Sequence, residues 1–197
     1  MKQIGSARSV RWKRRDVLAL AMAAGVVPVS FRSAEASSSK QEIDRDSREA
    51  LKRLEAQGGK KMQELVQQAK AILMFPNIVK GGLIIGGQYG EGALIEHGKT
   101  IGYYNIAAAS FGLQAGGQSF SYALLFEKQS ALDYLQKSDG WSIGSGPSVV
   151  VWDEGAAASM TSTTVTQDVV AIPFGQKGLM AGLGLEGSKI TSITPSD

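Results

Sequence analysis

The feature that restricts this chain most is a change of period near Val79. Before it, apolar residues recur at helical spacing; after it they alternate with small or polar residues, and glycine interrupts almost every segment. Gly81-Gly82-Leu83-Ile84-Ile85-Gly86-Gly87-Gln88-Tyr89-Gly90-Glu91-Gly92 carries too much glycine for a helix interior, where each such residue costs about 1 kcal/mol relative to Ala. It reads as strands joined by tight turns. Further strands are expected at 93–97, 101–109 and 118–127. In the last of these Phe120, Tyr122, Leu124 and Phe126 alternate with Ser119, Ser121, Ala123 and Leu125. A short helix is expected at 129–137, then strands at 147–153, 161–173 and 179–186, the last turning at Glu186-Gly187-Ser188 into a return strand at 189–194.

Two helices precede this run. Ile43, Ser47, Ala50, Leu51 and Leu54 form a stripe with charged residues on the other faces, and Gly58-Gly59 ends the first helix. Met62, Leu65, Val66, Ala69, Ile72 and Leu73 form a stronger stripe on a second helix, expected over 59–75, which Pro76 stops by disfavouring helical geometry at Phe75. Helices first and strands after predict an α+β fold, with N-terminal helices packed on a curved, largely antiparallel, Gly-rich sheet or barrel-like body.

Residues 1–36 have a different character. A basic stretch through Arg15, an apolar run at 17–29 and Ala34-Glu35-Ala36 match a cleaved signal peptide that would leave Ser37 first. Lys13-Arg14-Arg15-Asp16-Val17-Leu18 resembles a twin-arginine signal, so export is expected by that route, to the periplasm or the outside. The apolar run is shorter than the roughly 20 residues that span a bilayer. The remaining residues, 37–197, are expected to form one domain.

The leader also explains the charge. It holds seven of the chain's 21 Lys/Arg and two of its 18 Asp/Glu, which leaves a body of 14 basic and 16 acidic residues. A weakly acidic body lacks the positive field that binds nucleic acid. The chain has no cysteine, so disulfides, thiolate metal sites, a Cys nucleophile and an acylated Cys are excluded.

Four segments of the body resemble the SYLF domain family. They are Phe75-Pro76-Asn77-Ile78-Val79-Lys80-Gly81-Gly82; Gly86-Gly87-Gln88-Tyr89-Gly90-Glu91-Gly92; Gly112-Leu113-Gln114-Ala115-Gly116-Gly117-Gln118-Ser119; and Phe174-Gly175-Gln176-Lys177-Gly178-Leu179-Met180-Ala181-Gly182, with Leu185-Glu186-Gly187-Ser188-Lys189-Ile190 closing the match. The resemblance runs from about residue 42 to 194. It implies a non-catalytic lipid-binding module. Eukaryotic relatives are associated with phosphoinositide-containing membranes and, in one fungal branch, with actin. Behind a bacterial export signal actin is not an expected partner; a phospholipid or membrane surface is, with an envelope protein bound by a scaffold as the alternative.

The first candidate contact is the second helix and its end, where Lys60, Lys61, Lys70 and Lys80 could meet lipid phosphates and Phe75 could touch lipid, although core packing is the commoner use of such a stripe. A cavity inside a barrel-like sheet is the other way to hold an acyl chain. Arg45, Arg48 and Arg53 are expected in solvated ion pairs. Trp141 and Trp152 are expected in the core or at its rim. No cofactor or metal is expected: His97, the sole histidine, sits in a turn, and Asp133, Asp139, Asp153 and Glu154 lack ligand spacing. Gly182-Leu183-Gly184-Leu185-Glu186-Gly187 matches G-x-G-x-x-G, but too little chain follows for a dinucleotide site.

Overall fold

A computed structural model describes residues 38–82, 85–111, 116–152, 167–178 and 187–197. Residues 1–37, the strand expected at 179–186, the first half of the one at 161–173, Asp153 and Glu154, and the G-x-G-x-x-G match up to Glu186 lie outside the described residues.

The chain opens with helix α1 (Lys40–Gln68). Ser39 caps it: its Oγ accepts from the Glu42 N–H while the Glu42 carboxylate accepts from the Ser39 N–H, at 3.3 and 3.2 Å. One non-helical residue, Gly59 (φ 62°, ψ −155°), breaks it, so the expected boundary at Gly58-Gly59 is there as a kink between two helical segments. The second segment ends at Gln68 rather than at Phe75.

The reason for that difference lies in the next element. Strand β1 (Ala71–Gly82) begins with five consecutive buried residues, Ala71 to Phe75, and pairs on both sides, with β2 (Ile85–Glu96) and β4 (Gly116–Phe126). A short continuous apolar run suits a buried helix and a doubly covered strand equally well; here long-range pairing decides. Pro76 sits inside this central strand because the register shifts between Met74 and Asn77 on one side and between Phe75 and Ile78 on the other. The bulge takes Pro76 out of both ladders, where its missing N–H would otherwise cost a hydrogen bond.

Strand β3 (Lys99–Phe111) joins β2 through His97 (φ 46°) and Gly98 (φ 77°), a two-residue hairpin loop with both residues left-handed. Helix α2 (Gln129–Lys137), β5 (Trp141–Ser142), β6 (Val149–Val151), β7 (Val169–Gly178) and β8 (Lys189–Ser192) complete the chain. The sheet order is β5-β8-β3-β2-β1-β4-β7-β6, antiparallel throughout except for β6 beside β7. The expected α+β class and the largely antiparallel sheet are therefore observed.

The sheet is curled into a half-barrel, and one ring contact shows how far. Trp141 on β5 and Phe126 on β4 stand five strand positions apart, about 24 Å across a flat sheet. Their ring centroids are 6.1 Å apart. Inside the curl, Leu73, Phe75, Ile78, Leu94, Tyr104 and Ile106 pack with Phe120, Tyr122, Leu124 and Phe126, and α2 adds Ala131, Leu132 and Leu135. Outside it, Ala50, Leu54 and Met62 of α1 cover Ile72, Met74, Ala123, Leu125, Val170 and Ile172. Ile43 packs nearby on Ala93 and Ile95.

Two glycines make the curl possible. A Cβ on Gly92 would lie 2.2 Å from the Met74 carbonyl oxygen, and one on Gly90 would lie 2.8 Å from that of Asn77. Only a residue without a side chain lets β2 approach β1 this closely.

Candidate functional site

Helix α1 covers only part of the outer face. Beyond the β1 bulge nothing described lies over the sheet, and Val79 and Tyr89, direct cross-strand partners, are 55% and 45% exposed. The register extends this pair into a row across six strands: Lys177, Ser119, Val79, Tyr89, Ala107 and Lys189. The row is apolar at its centre and carries an exposed lysine on each side, with Ser142 of β5 beyond Lys189. Tyr89 donates its phenol proton to the Glu91 carboxylate at 2.8 Å, and that carboxylate also accepts from the Ser38 N–H at 3.1 Å.

The next row on the same face is Gly117, Gly81, Gly87 and Ala109. These glycines differ from Gly90 and Gly92. A Cβ on Gly81, Gly87 or Gly117 would find its nearest neighbour at 3.7, 3.4 or 4.0 Å, ordinary contact distances. Packing within the described chain does not require glycine there, and the result is a smooth open surface.

Where this surface meets α1 there is a pocket of about 360 Å³. Arg53 and Gln57 come from the last turns before the Gly59 kink, Asn77 from the β1 bulge, Ser119 and Ser121 from β4, and Lys177 from β7; Pro76, Phe120 and Phe174 complete the wall. Its origin is local. Ladders β1–β2, β1–β4 and β4–β7 all shift register here, and Gly175 takes a left-handed conformation (φ 65°) in the β7 bulge. The Ser121 hydroxyl donates to the Pro76 carbonyl at 2.7 Å and fastens β4 to the bulge.

The residues expected to contact lipid do not converge. Lys60 and Lys61 are exposed on the second segment of α1, and the Lys61 ammonium lies 5.4 Å from the Trp152 ring centroid, within cation–π range. Lys70 is exposed just before β1. Its charge opposes the burial that pushes the Glu127 carboxyl above the usual carboxylate range. Lys80 is partly buried and shares the inner face with its cross-strand neighbours Gln88 and Gln118. Lys70 and Lys80 stand at opposite ends of β1, roughly 30 Å apart along an extended strand. Phe75 corrects the expectation directly: it is fully buried in the inner core, because the segment that holds it is a central strand and not the end of a helix.

The arginines divide as well. Arg45 pairs with Asp46 at 2.9 Å, and Arg48 donates to the Gly98 carbonyl at 2.8 Å and to Thr100. Arg53 has no ion pair among the described residues and faces the pocket instead. Trp141 is fully buried and Trp152 is 8% exposed. Among the described residues no three His, Asp or Glu side chains gather as a metal site would need.

Residues 107–195 match the family model Ysc84, described as Las17-binding protein actin regulator. Over that stretch the chain is similar to the SYLF (Ysc84) domain, in keeping with the resemblance of its motifs. The matched stretch begins within β3 and includes Ser119, Lys177 and Lys189 of the outer face, while Arg53, Val79 and Tyr89 precede it. No curated protein matches the chain.

Proposed function

We propose that this SYLF-domain chain is an exported, non-catalytic module that binds lipid or a membrane surface through the open end of its outer sheet face. The observation that carries this reading is the row with exposed Val79 and Tyr89 at its centre and Lys177 and Lys189 on either side. Apolar side chains enter the headgroup boundary, and each lysine near an anionic surface adds about 1 kcal/mol of attraction. Lys60 and Lys61 add charge on the side of the sheet that α1 occupies. The basic, apolar and Ala34-Glu35-Ala36 segments of the first 36 residues support export to the periplasm or beyond, by the twin-arginine route. That destination separates the chain from the actin named in its family's description.

Co-sedimentation of the full chain with phosphatidylglycerol vesicles, against phosphatidylcholine vesicles, tests the reading. Binding to the anionic vesicles that weakens with salt, and weakens further in the Val79→Ser/Tyr89→Ser double variant, is the expected result. Equal sedimentation with and without vesicles refutes it. The family description names a protein-binding relative, which favours a second reading, an envelope scaffold whose open face meets a protein; stable capture of an envelope protein without vesicle binding selects that reading.

A further inference from the structure

The pocket under the α1 kink has a composition that a surface contact alone does not explain. Two cations, Arg53 and Lys177, line it; among the described residues no Asp or Glu does. Neither cation has an ion pair among the described residues, although the first segment of α1 is rich in acids and its other two arginines have found partners. The neutral groups beside them can donate hydrogen bonds as well as accept them: the Gln57 and Asn77 amides and the Ser119 hydroxyl. Ser121 is not one of these, since its single proton is held by the Pro76 carbonyl.

We propose that this pocket is an anion site that takes a phosphate group carried on a small polar molecule or headgroup. A phosphate monoester holds a charge of about −1.5 to −2 near neutral pH, which the two cations balance. The Arg53 guanidinium supplies a planar fork matched to two phosphate oxygens, and Lys177 supplies a point charge. A volume of about 360 Å³ falls within the range of small-molecule pockets and exceeds the need of a lone ion. The site borders the open sheet face through Ser119 and Lys177, which belong to both. Its occupant can therefore be a lipid headgroup or a soluble phosphate ester. The proposal does not depend on which source is the right one, and so does not rest on the membrane reading.

The test is a titration of the full, isotopically labelled chain with glycerol 3-phosphate, with inorganic phosphate and with glycerol, read by NMR at the Arg53 Nε–H and the Gln57 and Asn77 side-chain amides. Saturable shifts with both phosphates and none with glycerol are expected. Arg53→Gln and Lys177→Gln are each expected to weaken phosphate binding about tenfold, with Arg53→Lys recovering only part of the loss and Lys60→Gln/Lys61→Gln having no effect. Thermal melting of each variant checks that the fold persists. A parallel arm compares vesicles of phosphatidic acid with vesicles of phosphatidylcholine. Arg53-dependent binding to phosphatidic acid assigns the phosphate to a lipid, whether or not the soluble ester binds. Shifts with soluble phosphates and no vesicle binding keep the pocket and defeat the lipid reading. Vesicle binding untouched by Arg53→Gln, with no soluble phosphate shifting the three reporters, overturns the pocket and spares the open face. No binding in any arm overturns both.

Discussion

The two ends of the outer sheet face are made of the same strands and treated in opposite ways. At one end Ile72, Met74, Ala123 and Leu125 disappear beneath α1; at the other Val79 and Tyr89 stand in the open beside glycines that have room for a side chain. Between them lie the bulges at Pro76 and Gly175, with Ser121 of β4 between the two. Glycine makes the same contrast in miniature. Gly90 and Gly92 are required by the approach of β1, whereas Gly81 and Gly87 satisfy no contact within the described chain. A residue type that is uniform in the sequence thus serves folding in one place and leaves a surface smooth in another.

The strongest way to break this comparison is to cut Phe75 and Val79 alike. Phe75→Ala is expected to cost about 3–5 kcal/mol, because it empties a fully buried ring site, while Val79→Ala stays within about 0.5 kcal/mol. Urea unfolding measures both, and similar losses would mean that β1 is not read correctly on either side of its bulge. Gly92→Ala comes next. Its Cβ meets a backbone carbonyl at 2.2 Å, so a loss of roughly 3 kcal/mol is expected from the forced backbone shift. Gly87→Ala should be neutral or stabilising by up to about 0.5 kcal/mol, since it narrows only the unfolded ensemble. Equal melting shifts for the two alanines would remove the distinction between packed and open glycine.

A smaller effect separates the sheet's edge from its centre. Asp168 accepts from Lys128 at 2.9 Å and from the Ser148 N–H and hydroxyl at 2.8 Å each, which holds its carboxyl down to about 2 and ties β6 to the start of β7. A lowered folded-state pKa stabilises above the ordinary carboxylate range and loses that contribution as pH falls from 3.8 through about 2. Asp168→Asn should therefore melt below the parent at neutral pH, with the gap closing across that acid window. A constant gap from pH 7 to pH 2 would show that the carboxylate charge contributes nothing.

Much of this architecture is legible in the order of residues. The α2 helix matches its expected bounds, 129–137, because Ala131, Leu132 and Leu135 repeat at helical spacing in a polar setting. The Phe120–Phe126 alternation placed one whole face of β4 in the core. Residues 71–75 did not yield to the same treatment, since an unbroken apolar run has no period to read and its pairing partners lie up to 55 residues away along the chain. The pocket was hidden for a related reason. Arg53 sits among acids in sequence, and nothing local says that Lys177, more than 120 residues on, shares its pocket. A signal did exist in the Pro76 that interrupts an apolar run, since proline in a strand marks a bulge, and bulges often re-aim side chains.

By itself the sequence determined the class of fold, the SYLF resemblance and the split between 36 basic first residues and a weakly acidic remainder, because composition and short periods are properties of neighbouring residues. Tertiary structure decided which face of each strand is open, which glycines are needed and which cations share a pocket. Those outcomes depend on register and curl, and both are set by contacts between residues that the chain keeps far apart.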